Sequence, residues 1–291
     1  MLIPYLLLPL FLITILISTT VWVGNRRFDG KVKTRVMEMA SAAGSENSQI
    51  FSPHELADVP EPVRRYLEKS IPAGHPLILT TRVSHIGRFR MREETDKWHE
   101  MAATEYFTGH PPGFVWDAHI AMAPLVSVRV VDTYMKGTGS LTARILGLIT
   151  IAESAGDPEL DEGALMRYLA ESVWFPTTLL PSDFLTWTPG DDQSATASLT
   201  DGENEVRLTF SFNDLDEIVS ATAQRYRQEG NDYTLRDWTV SYDNYATRDG
   251  LRIPLSGKVT WHLPEGEHAY WEGRIVDIEF NPVEGPFALQ R

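Results

Sequence analysis

Apolar and polar positions change their spacing twice along this chain. From Leu77 onward they alternate: Phe114, Trp116, Ala118 and Ile120 are interleaved with Val115, Asp117 and His119. Val206, Leu208, Phe210 and Phe212 alternate in the same way with Arg207, Thr209 and Ser211, and Leu255, Gly257, Val259, Trp261 and Leu263 with Ser256, Lys258, Thr260 and His262. A period of two predicts half-buried antiparallel strands, with one face in a core and one in solvent. Between them lie Lys136-Gly137-Thr138-Gly139, Asp201-Gly202, Glu229-Gly230-Asn231-Asp232, Arg248-Asp249-Gly250 and Pro264-Glu265-Gly266. These are tight-turn sequences, so neighbouring strands pair with each other. The expectation is a mainly β (α+β) domain: a curved antiparallel meander sheet or half-barrel of about ten or eleven strands.

One stretch inside this region switches to helical spacing. In residues 157–176, Leu160, Ala164, Leu165, Tyr168, Leu169, Ser172 and Val173 share a broad apolar face. Arg167 and Glu171 fall four apart on the narrow remaining stripe, where they can pair. Asp157 before Pro158, or Asp161 a turn later, can cap the start, and Pro176 closes the end. This is the one long amphipathic helix expected within the strand region, inserted after the fifth strand. A helix with so wide an apolar face needs the sheet to cover it.

The first part of the chain follows neither pattern. Met1 to Val23 carries no charged side chain. As a helix it would span roughly 34 Å against a hydrocarbon core of about 30 Å, which predicts a transmembrane anchor over residues 1–24. A cleaved signal peptide is the rival, but no basic residue precedes the apolar run and Ser18-Thr19-Thr20 makes a poor cleavage site. Residues 25–49 read as a basic stalk helix and a small polar linker, and residues 50–291 as the β-rich domain. Within the latter, Pro60-Glu61-Pro62 starts a short helix with Val63, Tyr66, Leu67 and Ile71 on one face.

Charge sharpens this division. The formal net charge is -14. Residues 1–43 hold Arg26, Arg27, Lys31, Lys33 and Arg35 against Asp29 and Glu38, which leaves the remainder strongly acidic. An acidic body repels nucleic acid, which is excluded as its partner. The basic residues after the apolar run place the body in the cytoplasm by the positive-inside rule, with an extracytoplasmic body as the alternative. There are no cysteines, so disulfides, thiolate metal sites and cysteine nucleophiles are excluded.

No chemical signature stands out. The eight histidines form no HExxH pattern, and Asp117 with His119, two apart on one strand face, is a weak ligand pair. No GxSxG, GxGxxG or GxxxxGK[ST] occurs, so no catalytic residue, cofactor or metal is assigned. What remains is charge on elements that should be partly buried: Arg129, Asp132 and Tyr134 on one strand, Arg167 and Glu171 on the helix, Arg225 on a later strand. Buried charges persist only when paired. These residues form either a structural arginine–carboxylate network or the polar end of a ligand pocket. Trp116, Trp174, Trp238 and Trp261, on or beside core strands, would line such a pocket or simply fill the core.

Segments 60–67 (PEPVRRYL), 113–122 (GFVWDAHIAM), 131–140 (VDTYMKGTGS), 167–180 (RYLAESVWFPTTLL), 249–261 (DGLRIPLSGKVTW) and 270–280 (YWEGRIVDIEF) resemble an uncharacterised bacterial family of membrane-anchored proteins with a domain of unknown function. That resemblance implies a single-pass protein of the bacterial cell membrane and transfers no activity. At the level of fold, a curved sheet around one helix is similar to the lipoprotein-carrier (LolA/LolB-like) half-barrels, which hold acyl chains in a concave apolar cavity outside the cytoplasm. The leading expectation is a membrane-tethered domain binding a lipid or other apolar small molecule between sheet and helix. The alternatives are a hydrolase-type enzyme using Glu171 or Asp132 as general acid/base, and an interaction module for another membrane protein.

Overall fold

A computed structural model describes residues 3–43, 49–91, 95–230 and 232–282 of the chain, with no side-chain description for residues 3–10 or Ile17. It begins with a long helix, α1 (Ile3–Ala42), followed by the short helix α2 (Glu61–Ser70). Six strands come next: β1 (Thr80–Phe89), β2 (His99–Thr108), β3 (Gly113–Ala123), β4 (Val126–Met135), β5 (Thr138–Ile145) and β6 (Ile149–Ala155). The amphipathic segment forms α3 (Pro158–Glu171), extended by 3-10 turns at Ser172–Trp174 and Pro176–Leu179. Seven more strands complete the fold: β7 (Leu185–Pro189), β8 (Ser194–Asp201), β9 (Asn204–Phe212), β10 (Ile218–Glu229), β11 (Asp232–Arg248), β12 (Leu251–Leu263) and β13 (Gly266–Phe280).

All thirteen strands belong to one antiparallel sheet, ordered β6-β5-β4-β3-β2-β1-β13-β12-β11-β10-β9-β8-β7. Paired strands are consecutive in sequence except where β1 meets β13, and the consecutive strands β6 and β7 form the two opposite edges. The β1–β13 pairing joins two meander arms into a curved half-barrel. The sheet has 13 strands rather than ten or eleven, and α3 follows the sixth strand rather than the fifth. The strands most easily missed are edges: β6 is exposed along nearly its whole length and β7 has five residues, so neither carries a strong alternation. The turn chemistry is as the sequence suggests. Lys136 and Gly137 both take positive φ (54° and 78°), the requirement of a two-residue I′ hairpin.

One row across the seam between the arms is free of side chains. Gly87 stands opposite Gly273, and Gly273 opposite Gly257, in register across β1, β13 and β12. A Cβ on Gly87 would meet the Glu272 carbonyl at 2.0 Å, and one on Gly273 would meet the Trp271 ring at 2.5 Å. The row lets strands and an indole approach more closely than any side chain would allow.

The main core lies inside the curve. Leu165, Tyr168, Leu169 and Val173 of the α3 segment are fully buried against inward residues such as Phe107, Phe114, Leu208 and Phe210. α2 seats Val63, Tyr66, Leu67 and Ile71 on the same core, as its spacing predicts. Tyr134 clasps the two arms: its hydroxyl donates to Asp201 Oδ2 at 2.8 Å and accepts from Asn204 Nδ2 at 3.1 Å.

A second, smaller core lies on the outer face. Phe28, Val32, Val36, Met39 and Ala40 of α1 are buried there against Val115 and Val131. The stalk segment is therefore packed on the sheet. Membrane anchoring and a single-pass location require correction, on the cytoplasmic and the extracytoplasmic side alike. Among the described residues no helix is long and apolar enough to cross a membrane. Met1 and Leu2 of the apolar run, and the linker residues 44–48, lie outside the described residues.

Candidate functional site

Alternation on β3 and β4 decides which charged residues meet. Phe114 faces Tyr134, Trp116 faces Asp132 and Ala118 faces Val130 across the two strands, all on the inner side. Arg129, an odd number of residues from Asp132, therefore points outward. There its Nε and Nη2 donate to Asp117 at 2.7 and 2.6 Å, and Nη1 donates to Asp29 of α1 at 2.6 Å. Arg129 clamps the outer helix and takes no part in the inner site. Asp117, considered above as a ligand partner for His119, is occupied by this arginine. Among the described residues no group of three or more His, Cys, Asp or Glu is placed to hold a metal ion.

Inside the curve, Arg167 is a hub. Its Nε donates to Glu171 Oε1 at 2.9 Å, Nη1 to Asp132 Oδ2 at 2.7 Å and Nη2 to Glu105 Oε1 at 2.6 Å. The guanidinium lies over the rings of Phe114 and Trp116, 4.8 and 4.9 Å from their centroids. Burial opposes its charge, but Glu105, Glu171 and Asp132 together hold it above the ordinary arginine value. The i,i+4 pair expected from the helix pattern is real, and it is one arm of a four-residue cluster.

Three carboxylates around one cation cannot all ionise cheaply. Burial pushes Glu105 well above the carboxylate range despite Arg167, and the nearby Glu171 pushes it further. Glu171 and Asp132 are raised by burial too, against the pull of Arg167. Glu105 Oε2 and Glu171 Oε2 are buried with no other partner, and the two side chains lie within hydrogen-bonding reach. Burial of both carboxylates beside each other favours the protonated form of Glu105.

Beyond the hub a cavity of about 330 Å³ opens between the inner face of the sheet and α3. Of the residues proposed from sequence, Trp116, Asp132, Arg167, Glu171, Trp174, Arg225 and Trp238 line it. Tyr134 is the clasp described above. Trp261 stands behind the wall, stacked on Tyr270 at 6.2 Å. The rest of the lining is mostly aliphatic and aromatic, including Phe89, Ile120, Val130, Val240, Tyr270 and Trp271. Reasoning from sequence missed Glu105, Tyr270, Trp271 and His85. His85 is 2% exposed, accepts from Trp116 Nε1 at 2.9 Å, and has its ring 5.7 Å from Trp271 and 6.1 Å from Trp174. Burial and the charge of Arg167 depress its pKa to about 3, so the ring is neutral, with Nε2 as acceptor.

The fold and site define a class: a curved antiparallel sheet enclosing a helix and an aromatic-lined cavity with a charged cluster at one end. Over residues 57–280 the chain matches the model of a family of unknown function (DUF6920), and it belongs to that family. The uncharacterised family expected from its segments is thereby confirmed. Among solved structures it is similar to a LolA superfamily protein from Nitrosomonas europaea, at 12% identity and a TM-score of 0.35, over 77% of this chain and 93% of that one. No curated protein matches it.

Proposed function

We propose that this domain binds a small apolar or amphipathic molecule in the cavity between sheet and α3. The observation that carries this reading is the cavity itself, about 330 Å³ of space walled by aromatic and aliphatic side chains with a few polar groups at one end. Protein interiors are normally close-packed, and pockets that hold small molecules have this size and this lining. The three carboxylates support a structural role, because one arginine engages all of them.

The test is binding of a neutral environment-sensitive fluorophore, N-phenyl-1-naphthylamine, by the full chain and by a cavity-filled variant. Val130→Phe with Val240→Phe places two rings in the space. The expected result is bright, saturable binding in the parent chain, weakened at least tenfold in the variant. Absent binding, or equal binding by a folded variant, overturns the reading.

A further inference from the structure

The two arginines of the cavity wall differ in what balances them. Arg167 is surrounded by three carboxylates, each within 2.9 Å. Arg225 has no carboxylate within ion-pair distance among the described residues, although Asp132 feels its charge. It reaches across from β10, where Nη2 donates to the Gly163 carbonyl of α3 at 2.9 Å and Nη1 to the Tyr270 hydroxyl at 3.5 Å. Its Nε is buried and has no acceptor. The approach is close: a Cβ on Gly163 would stand 3.3 Å from that nitrogen, a tight contact.

Aromatic rings supply the surroundings instead. The guanidinium carbon lies 4.8 Å from the Trp238 centroid and 5.7 Å from that of Trp261. The Tyr270 oxygen accepts from both Arg225 and Trp238 Nε1, at 3.5 and 3.1 Å, which leaves its own proton free to donate elsewhere. Trp174, 4% exposed and also in the cavity wall, has an indole N–H with no acceptor. The cavity wall thus holds a cation with no carboxylate partner among the described residues, beside a tyrosine hydroxyl whose oxygen already accepts two hydrogen bonds. A partly buried cation in that condition is costly unless something supplies the missing charge.

Resting on the ligand-binding reading above, we infer that the molecule held in the cavity is a carboxylate-headed amphipath. Arg225 and Tyr270 receive its head group, and its apolar tail lies along the aromatic and aliphatic wall. An arginine fork matches a carboxylate in geometry as well as charge. A monoanion suits the site better than a phosphate dianion. Asp132 and Glu171 also line the cavity. A second negative charge beside those two carboxylates would be repelled.

The experiment compares palmitate, methyl palmitate and dodecyl phosphate as competitors of the naphthylamine probe, in the full chain and in Arg225→Met. The expected result in the parent chain is palmitate at least tenfold tighter than its methyl ester and tighter than the phosphate. In Arg225→Met the acid should lose that advantage while the ester binds as before. Equal binding of acid and ester by the parent chain overturns the inference and leaves the apolar cavity standing. Tighter binding of the phosphate overturns the choice of head group. Failure of all three to compete, with the probe unbound, removes the underlying reading as well. The comparison within the parent chain needs no mutant, so a misfolded Arg225→Met leaves it intact. Tyr270→Phe provides the second variant, with an expected threefold or greater loss for the acid alone.

Discussion

Replacing Arg167 with alanine removes the one cation that three buried carboxylates share. Burial already raises Glu105 well above the carboxylate range, and the substitution strands Asp132 and Glu171, which Arg167 also engages. Leaving an unpaired buried charge costs about 3–5 kcal/mol. The carboxylates can escape by taking up protons, and that sets a second scale. From an ordinary glutamate pKa of 4.5, holding one glutamate protonated at pH 7 costs about 3.4 kcal/mol, and at pH 5 only about 0.7 kcal/mol. The loss in Arg167→Ala should therefore be about 3–5 kcal/mol at pH 7 and smaller by about 2–3 kcal/mol at pH 5. Urea denaturation followed by tryptophan fluorescence at the two pH values measures both. Arg167→Met separates charge from packing, because it restores contact with Phe114 and Trp116 while leaving the carboxylates without a cation. A loss below about 1 kcal/mol at pH 7, as for an exposed pair, would refute the reasoning. So would a loss of the same size at both pH values.

Two further outcomes follow from groups on either side of the sheet. His85 has a folded pKa of about 3 against an ordinary value of 6.5, so its contribution is present above pH 6.5 and lost as pH falls towards 3. At about 1.4 kcal/mol per pH unit this amounts to about 5 kcal/mol, and His85→Gln, which keeps an acceptor for Trp116, should flatten that acid limb in denaturation curves. On the outer face, a chain lacking residues 1–24 should keep its stability. One lacking residues 1–43 uncovers Val115 and Val131 and deprives Arg129 of Asp29, for a loss of about 3–5 kcal/mol in thermal or urea unfolding; equal stability of the two truncated chains would show that α1 contributes nothing to the fold.

Much of the fold was legible because its devices are local. Alternation at 206–212, the turn at Lys136-Gly137 and the helical spacing at 157–176 each state their structure within a few residues. The site was legible in part, and the misses have physical causes. Arg129 was grouped with Asp132 and Tyr134, although an odd separation sends it to the opposite face of the strand. Glu105 went unnoticed, yet Met101, Ala103, Glu105 and Phe107 share one face, and a carboxylate on an inward apolar row signals a buried partner. Val259 pairs with Trp271 and Thr260 with Ala269, so Tyr270 is the extra residue of a bulge, and simple parity gives no guide to which ring faces the cavity. Val115 and Val131 sit on what alternation alone marks as the solvent face. Their burial depends on a helix 75 or more residues away in sequence, which no local pattern reports.

The geometry of one helix in a wide sheet explains why a cavity exists at all. Thirteen strands at about 4.8 Å apart make a sheet roughly 58 Å across. A helix is about 10–12 Å in diameter, and the fourteen residues of α3 run only about 21 Å. A flat sheet of that width would leave most of its apolar face bare. The curve of the sheet brings both arms onto α3, so that β4 and β5 touch it from one side and β9 and β10 from the other. The strands at the seam are the last to be reached. Their inward side chains, Trp271 and Tyr270 of β13 with Val259 of β12, consequently face open space. Large aromatics narrow that space without filling it, and the charged cluster closes one end, where α3 meets β2 and β4. The cavity is thus the part of the concave face that a single helix cannot cover, and its aromatic wall and unpartnered donors are what a bound molecule would complete.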